Sequence, residues 1–180
     1  MKKIVLMSAV LATGLVQNQV DAEELTIGLR EHAFSAGIGN QISPNANYKL
    51  GYLYSEDKGH LADIAVHVTI DNGPHHIEIG PKWVYAWAKE TNSGGAIAVG
   101  GGYRLMVSNL ISLHASAYYA PSVLSFSNVE GYLEYDAKVQ LNLSEDFGLH
   151  LGYRNKNIDY KKVSEVTFDS GYYLGATLRF

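Results

Sequence analysis

The chain has 180 residues, 47 % of them apolar and 18 % charged, and no cysteine. This is one domain's length of chain, too apolar and too sparsely charged to stay disordered; without thiols it holds neither a disulfide framework nor a thiolate metal site. The net charge of −4 offers no basic excess to phosphates, which makes nucleic acid a poor partner.

In chain order, the first element is Lys2-Lys3, an apolar run from Ile4 to Val16, polar Gln17-Asn18-Gln19 and a small-residue close at Val20-Asp21-Ala22. These are the three parts of a cleaved secretory signal peptide, residues 1–22. The run is shorter than the roughly 18–20 apolar residues a spanning helix needs. No cysteine follows the cleavage site, so no lipid anchor is expected, and residues 23–180 form the exported domain.

That domain alternates with period two, the mark of half-buried strands. Leu25–Asn40 reads as one strand, or as two short ones turning near Glu31-His32. Next, Ile64, Val66, Val68 and Ile70 oppose Ala65, His67 and Thr69. Ile77, Ile79, Trp83, Tyr85 and Trp87 oppose Glu78, Gly80, Lys82 and Ala86. Ile97, Val99, Tyr103 and Leu105 oppose Ala98, Gly100, Gly102 and Arg104, and Tyr118-Tyr119 close a further strand. Tyr132–Leu143 has the plainest faces: Tyr132, Glu134, Asp136, Lys138, Gln140 and Asn142 on one side, Leu133, Tyr135, Ala137, Val139, Leu141 and Leu143 on the other. Phe147, Leu149, Leu151 and Tyr153 oppose Gly148, His150, Gly152 and Arg154. The last run sets Tyr172, Leu174, Ala176, Leu178 and Phe180 against Tyr173, Gly175, Thr177 and Arg179.

Tight turns are expected at Asp71-Asn72-Gly73-Pro74, Val107-Ser108-Asn109 and Ser144-Glu145-Asp146, and longer loops at Asn40–Asn47, Pro121–Asn128 and Asn155–Asp169. Short connections alternating with long ones, between strands long enough to cross a bilayer, predict an all-β, antiparallel, up-and-down transmembrane β-barrel. Nine strand segments are legible, whereas such barrels have an even number; eight strands are favoured and ten stay open.

A soluble barrel would show the same alternation with its apolar face inward. Three features favour the membrane. The chain ends flush on a strand in Phe180, with Tyr172 and Leu178 in phase, the pattern of a signal for the barrel-assembly machinery. Aromatics close the apolar faces, as interfacial girdles do. The polar faces carry both charge signs at mid-strand. Glu78, Lys82, Arg104, Glu134, Asp136, Lys138, His150 and Arg154 are therefore expected to form a polar network that plugs the lumen, while the outer face meets outer-membrane lipid. The barrel is expected to be a monomer.

The stretch Tyr118-Tyr119-Ala120-Pro121-Ser122-Val123-Leu124-Ser125, with Gly100–Leu105, Gly152-Tyr153-Arg154 and the terminal YYLGATLRF, resembles the YfaZ family of small Gram-negative outer-membrane proteins. The resemblance runs over nearly the whole exported domain and implies location and architecture. It carries no functional residues with it.

The remaining chemistry is sparse. None of the seven His sits at a metal-ligand spacing, and no cofactor motif is present. His75-His76 falls at a turn. His67 or His150 with a carboxylate, or Ser112 or Ser116 with a His, would be the material of a membrane-embedded hydrolase or acyltransferase. Gly100-Gly101-Gly102 reads as a bend in a strand, since no helix follows it as a phosphate loop requires. The favoured role is structural or interactive, through the loops at Pro121–Asn128 and Asn155–Asp169. A narrow pore or small-ligand barrel is the alternative, and an enzyme the second.

Overall fold

A computed structural model describes residues 23–89, 93–161 and 163–180; the expected signal peptide lies outside the described residues. The strands are β1 (Glu24–Arg30), β2 (Ala33–Ser43), β3 (Ala46–Ser55), β4 (Gly59–Asn72), β5 (His75–Ala88), β6 (Gly94–Met106), β7 (Ile111–Ala120), β8 (Ser125–Ser127), β9 (Val129–Asn142), β10 (Phe147–Tyr160) and β11 (Val163–Arg179). Ten of them form one antiparallel ring in which each pairs with its neighbours in sequence, β7 with β9, and β1 with β11. The eleventh, β8, is a three-residue strip on the start of β6, next to a 3₁₀ turn at Ser122–Leu124. The ring has no free edge along the pairing direction, the condition a sheet must meet to sit in hydrocarbon.

The strand count is ten, which corrects the favoured eight. Leu25–Asn40 is two strands, and the reversal falls at Glu31-His32 with Arg30 opposite Ala33. Residues paired across a two-residue hairpin share a face, so the apolar positions shift from odd (Leu25, Ile27, Leu29) to even (Phe34, Ala36, Ile38) across the turn, and that change of phase is its mark in the sequence.

An even strand count puts both chain ends at one end of the barrel, the terminal rim. There Glu23 and Phe180 exchange backbone hydrogen bonds and Glu24 lies opposite Arg179. The expected tight turns near residues 73, 108 and 145 all lie at this rim. Two expected loops are corrected. Asn40–Asn47 is strand on both sides of a tight turn at Pro44-Asn45, also at the terminal rim. Asn155–Asp169 is mostly strand: β10 runs to Tyr160 and β11 starts at Val163. Polar inward residues made that hairpin look like a loop. Its pairing shifts between Lys156 and Asn157, so that Phe168 is skipped and turned inward beside Asp169; a β-bulge breaks strict alternation in this way. Pro121–Asn128 is a true loop at the opposite, far rim.

The distribution of side chains is the inverse of a soluble protein's. Along β9, Val139 is 52 % exposed while Gln140 beside it is fully covered. The exposed set includes Ile64, Val66, Val68, Ile79, Trp83, Val99, Leu151 and Leu174; the covered set includes Glu78, Lys82, Glu134, Lys156 and Asp169. Every face expected from the alternation points as the membrane alternative requires. Charged residues of this kind are almost never buried without partners in a globular core, and an apolar surface running around the whole molecule needs a non-aqueous neighbour.

Glycine bends the wall between β4 and β7. A Cβ on Gly80 would lie 2.0 Å from the Val66 carbonyl oxygen, and one on Gly101 would lie 1.9 Å from that of Glu78. Regular β4–β5 pairing lapses between Ala65↔Lys82 and Val68↔Ile79, next to Pro81. Backbones approach here more closely than any side chain allows, the use of strand glycine anticipated for Gly100–Gly102.

Wall heights are unequal. β1 has 7 residues and β11 has 17. The last β1–β11 pair given by the register is Leu29↔Leu174, so β11 rises above β1 toward the far rim.

Candidate functional site in the lumen

The interior is built in three levels. Toward the far rim the inward positions turn apolar: Leu53, Leu61, Val84, Tyr132, Ile158 and Phe168, with Ala86, Ala96, Ala98 and Ala120, make one buried cluster. It is a stopper of side chains from most of the wall. The inward residues of β5 show its origin: Glu78 and Lys82 give way to Val84 and Ala86 as the strand climbs.

Beneath the stopper lies a closed ion cluster. Lys82 Nζ donates to Glu134 Oε2 at 2.9 Å, and Lys156 Nζ stands 3.1 Å from Glu134 Oε1. Asp63 faces both lysines, at 3.8 Å and 3.5 Å. The Tyr132 hydroxyl donates to Glu134 at 2.5 Å, and Lys82 lies over the Tyr118 ring. Two cations against two anions, all buried, satisfy one another; such a cluster costs much desolvation and holds only when complete.

To one side, Arg154 Nε donates to Asp136 Oδ2 at 3.0 Å, the Tyr173 hydroxyl donates to the same carboxylate, and the guanidinium covers the Tyr173 ring. Asp169 receives Arg30 at 2.7 Å and stands 3.8 Å from Arg154. Phe168 and Asp169 both reach the interior because of the bulge, one into the stopper and one into this pairing.

Below, a cavity of about 470 Å³ reaches the terminal rim at Glu24, Gln41, Asp71 and Arg179. Glu78 occupies one wall, held by Lys49, by Asn47 Nδ2 at 2.8 Å and by His76 at 3.1 Å, and His76 also contacts Asp71. Arg104, across from His76 on the neighbouring strand, and Lys138 line the same cavity and also a smaller recess of about 180 Å³ that Glu78 and Asp136 share. Gln140 donates to Asn142 at 2.8 Å and lies beside Thr177 and His150.

All eight residues expected in the lumen therefore face it. They do not form one network: Lys82 and Glu134 belong to the ion cluster, Asp136 and Arg154 to the second pairing, Glu78 to the cavity wall. Arg104 and Lys138 have no carboxylate within 4.0 Å among the described residues, and His150 keeps Nε2 without a partner. The sequence reading missed Asp63, Lys156, Asp169, Lys49 and Tyr173 as partners. Lys156 and Asp169 were hidden in a stretch taken for loop; Asp63 is in phase with Ala65 and His67 and was legible from that alone. The apolar stopper was missed as well.

The material of a nucleophilic site comes together only in part. Ser112 Oγ lies 3.0 Å from His114 Nε2, but among the described residues no carboxylate bonds His114, and His67 is occupied by Asn47 and the Tyr118 hydroxyl. Among the described residues no group of His, Asp or Glu is arranged to hold a metal ion.

A closed ten-stranded antiparallel barrel with apolar residues outside and ion pairs inside has the architecture of a membrane-spanning β-barrel. Solved porins are similar in fold: the NanC porin matches with a TM-score of 0.52 at 9 % identity, over 88 % of this chain and 98 % of its own. The KdgM porin, solved in complex with disordered oligogalacturonate, matches with a TM-score of 0.50 at 10 % identity, over 88 % of this chain and 99 % of its own. The model of the YfaZ precursor family matches residues 1–180, and the chain belongs to that family, as the motifs at Tyr118–Ser125 and the terminal strand suggested. No curated protein matches the sequence.

Proposed function

We propose that this chain is an integral outer-membrane protein, exported by its N-terminal signal peptide, whose barrel is sealed toward the far rim and does not conduct. The observation that carries the reading is the inverted burial together with the stopper: the outside suits acyl chains, while the inside is solid on one half. Its role is then structural or interactive, presented to the exterior by the far-rim loop at Pro121–Asn128. The termini and the tight turns belong to the periplasmic side, the usual arrangement of such barrels.

Two measurements test this. The protein should be recovered in the outer-membrane fraction, require detergent, and migrate faster on a denaturing gel before heating than after. Recovery as a detergent-free periplasmic species overturns it. In planar bilayers the wild-type protein should show no steady channel.

The cavity favours a second reading, a barrel that binds or passes a small solute. A steady conductance of the wild-type protein would select passage over occlusion.

A further inference from the structure

Two cations of the lumen cavity have no carboxylate within 4.0 Å among the described residues. Seven basic residues line it, namely Lys49, Lys82, Arg104, Lys138, Arg154, Lys156 and Arg179, against six carboxylates. Each carboxylate is engaged: Glu24 by Arg179, Asp71 by His76, Glu78 by Lys49, Asp136 by Arg154, and Asp63 and Glu134 by Lys82 and Lys156. Arg104 and Lys138 are left over. Arg104 Nε is shielded from the surface and makes no hydrogen bond.

These two residues are neighbours by register. Arg104 on β6 lies opposite His114 on β7, and His114 lies opposite Lys138 on β9. Two strand spacings put the backbones of Arg104 and Lys138 about 10 Å apart, and both side chains line the same recess with His114 and Ser116 between them. Both residues are half-buried, and a cation drawn from water without a counter-charge in contact is costly. The fork of a guanidinium suits an oxyanion with two acceptor oxygens, and an ammonium adds a point charge.

We propose that Arg104 and Lys138 form a binding site for a small carboxylate or phosphate anion, reached from the terminal rim. His114 and Ser116 complete its floor. The cavity volume falls within the range of small-molecule sites. The proposal deepens the second reading of the lumen as a ligand cavity and does not require conduction.

The test is isothermal titration of the full-length barrel, folded in a zwitterionic detergent, with inorganic phosphate, with galacturonate and with galactose as the neutral control. Saturable binding of at least one anion, absent for galactose, is expected. Whether phosphate or galacturonate binds identifies the anion class. Arg104→Gln and Lys138→Gln should each weaken binding at least tenfold, while Arg104→Lys keeps part of it. Heat-modifiable migration of each variant shows that it is folded. No saturable binding of either anion to the wild type, or unchanged affinity in the folded Arg104→Gln/Lys138→Gln double variant, overturns the site. A conducting barrel that binds the anion would overturn only the occlusion reading; a silent barrel that binds nothing would overturn only this one.

Discussion

At the scale of residues, facing decides cost. Val139 looks outward from β9 and Lys138 inward. Val139→Arg is expected to destabilise by about 2–4 kcal/mol if that position sits near the bilayer midplane, whereas Lys138→Arg keeps its charge in the lumen and should cost far less. Unfolding in lipid vesicles by denaturant compares the two, and equal costs would show the faces to be wrongly assigned. The buried cluster gives a second case. Glu134 is the common acceptor of Lys82 and Lys156, so Glu134→Gln leaves two buried ammonium groups with only Asp63 between them. Removing one member of such a pair costs about 3–5 kcal/mol, and the same unfolding measurement should show it. Individual inward residues were legible from period two alone. Their partners were not, because register and barrel closure, which bring Lys156 onto Glu134, are set by hydrogen bonding across strands and leave no mark on a single strand's pattern.

At the scale of elements, the terminal strand closes the ring. Leu178 pairs with Leu25, and Phe180 bonds Glu23 beyond it. Removing Phe180 takes away the last bonds of the seam and the outward aromatic that the assembly machinery is expected to read; the amount of heat-modifiable protein in the membrane should fall. Unchanged yield would show that the terminal aromatic is dispensable. At the far rim, the β1–β2 and β3–β4 turns are tied by His32 Nδ1 to Glu56 Oε2 at 3.1 Å. The hydrogen bond that His32 donates to the Glu56 carboxylate raises the His32 pKa above its usual value near 6.5, and the charges of Glu31 and Asp57 add to it. The sign follows: the protonated ring is the form the fold favours, so the tie is complete below about pH 6.5 and lost as pH rises through the elevated value. In an NMR titration His32 should have a midpoint above that of an unstructured His, and Glu56→Gln should bring it down. Both turns are two or three residues long. The first was weighed in the sequence only as one way to resolve an odd strand count, since its residues carry no glycine, although the apolar positions shift from odd to even across it.

At the scale of the whole molecule, the closed antiparallel sheet and its inversion were legible, the first from long alternating strands and the second from mid-strand charges of both signs, whereas the strand count was not. Nor was the stopper. It required noticing that inward positions change character along the strand, from Glu78 and Lys82 to Val84 and Ala86, while alternation continues unaltered. It also depends on Phe168, which a bulge turns inward against the local period. The consequence is measurable. Tyr132→Ala with Phe168→Ala removes the two largest fully covered side chains of the stopper, and this pair should convert a silent barrel into one with steady conductance in planar bilayers. A double variant that stays silent while still folded would place the barrier in the ion cluster below.

The unequal wall has its own consequence. Above Leu174, among the described residues, one long margin of the final strand has its ladder partners on the β10 side. Alternate amide protons there look into solvent, and they should trade for deuterium within the time that the paired seam beneath them stays protected. The boundary between quick and slow exchange along that single strand would then mark how high the sealed part of the cylinder stands.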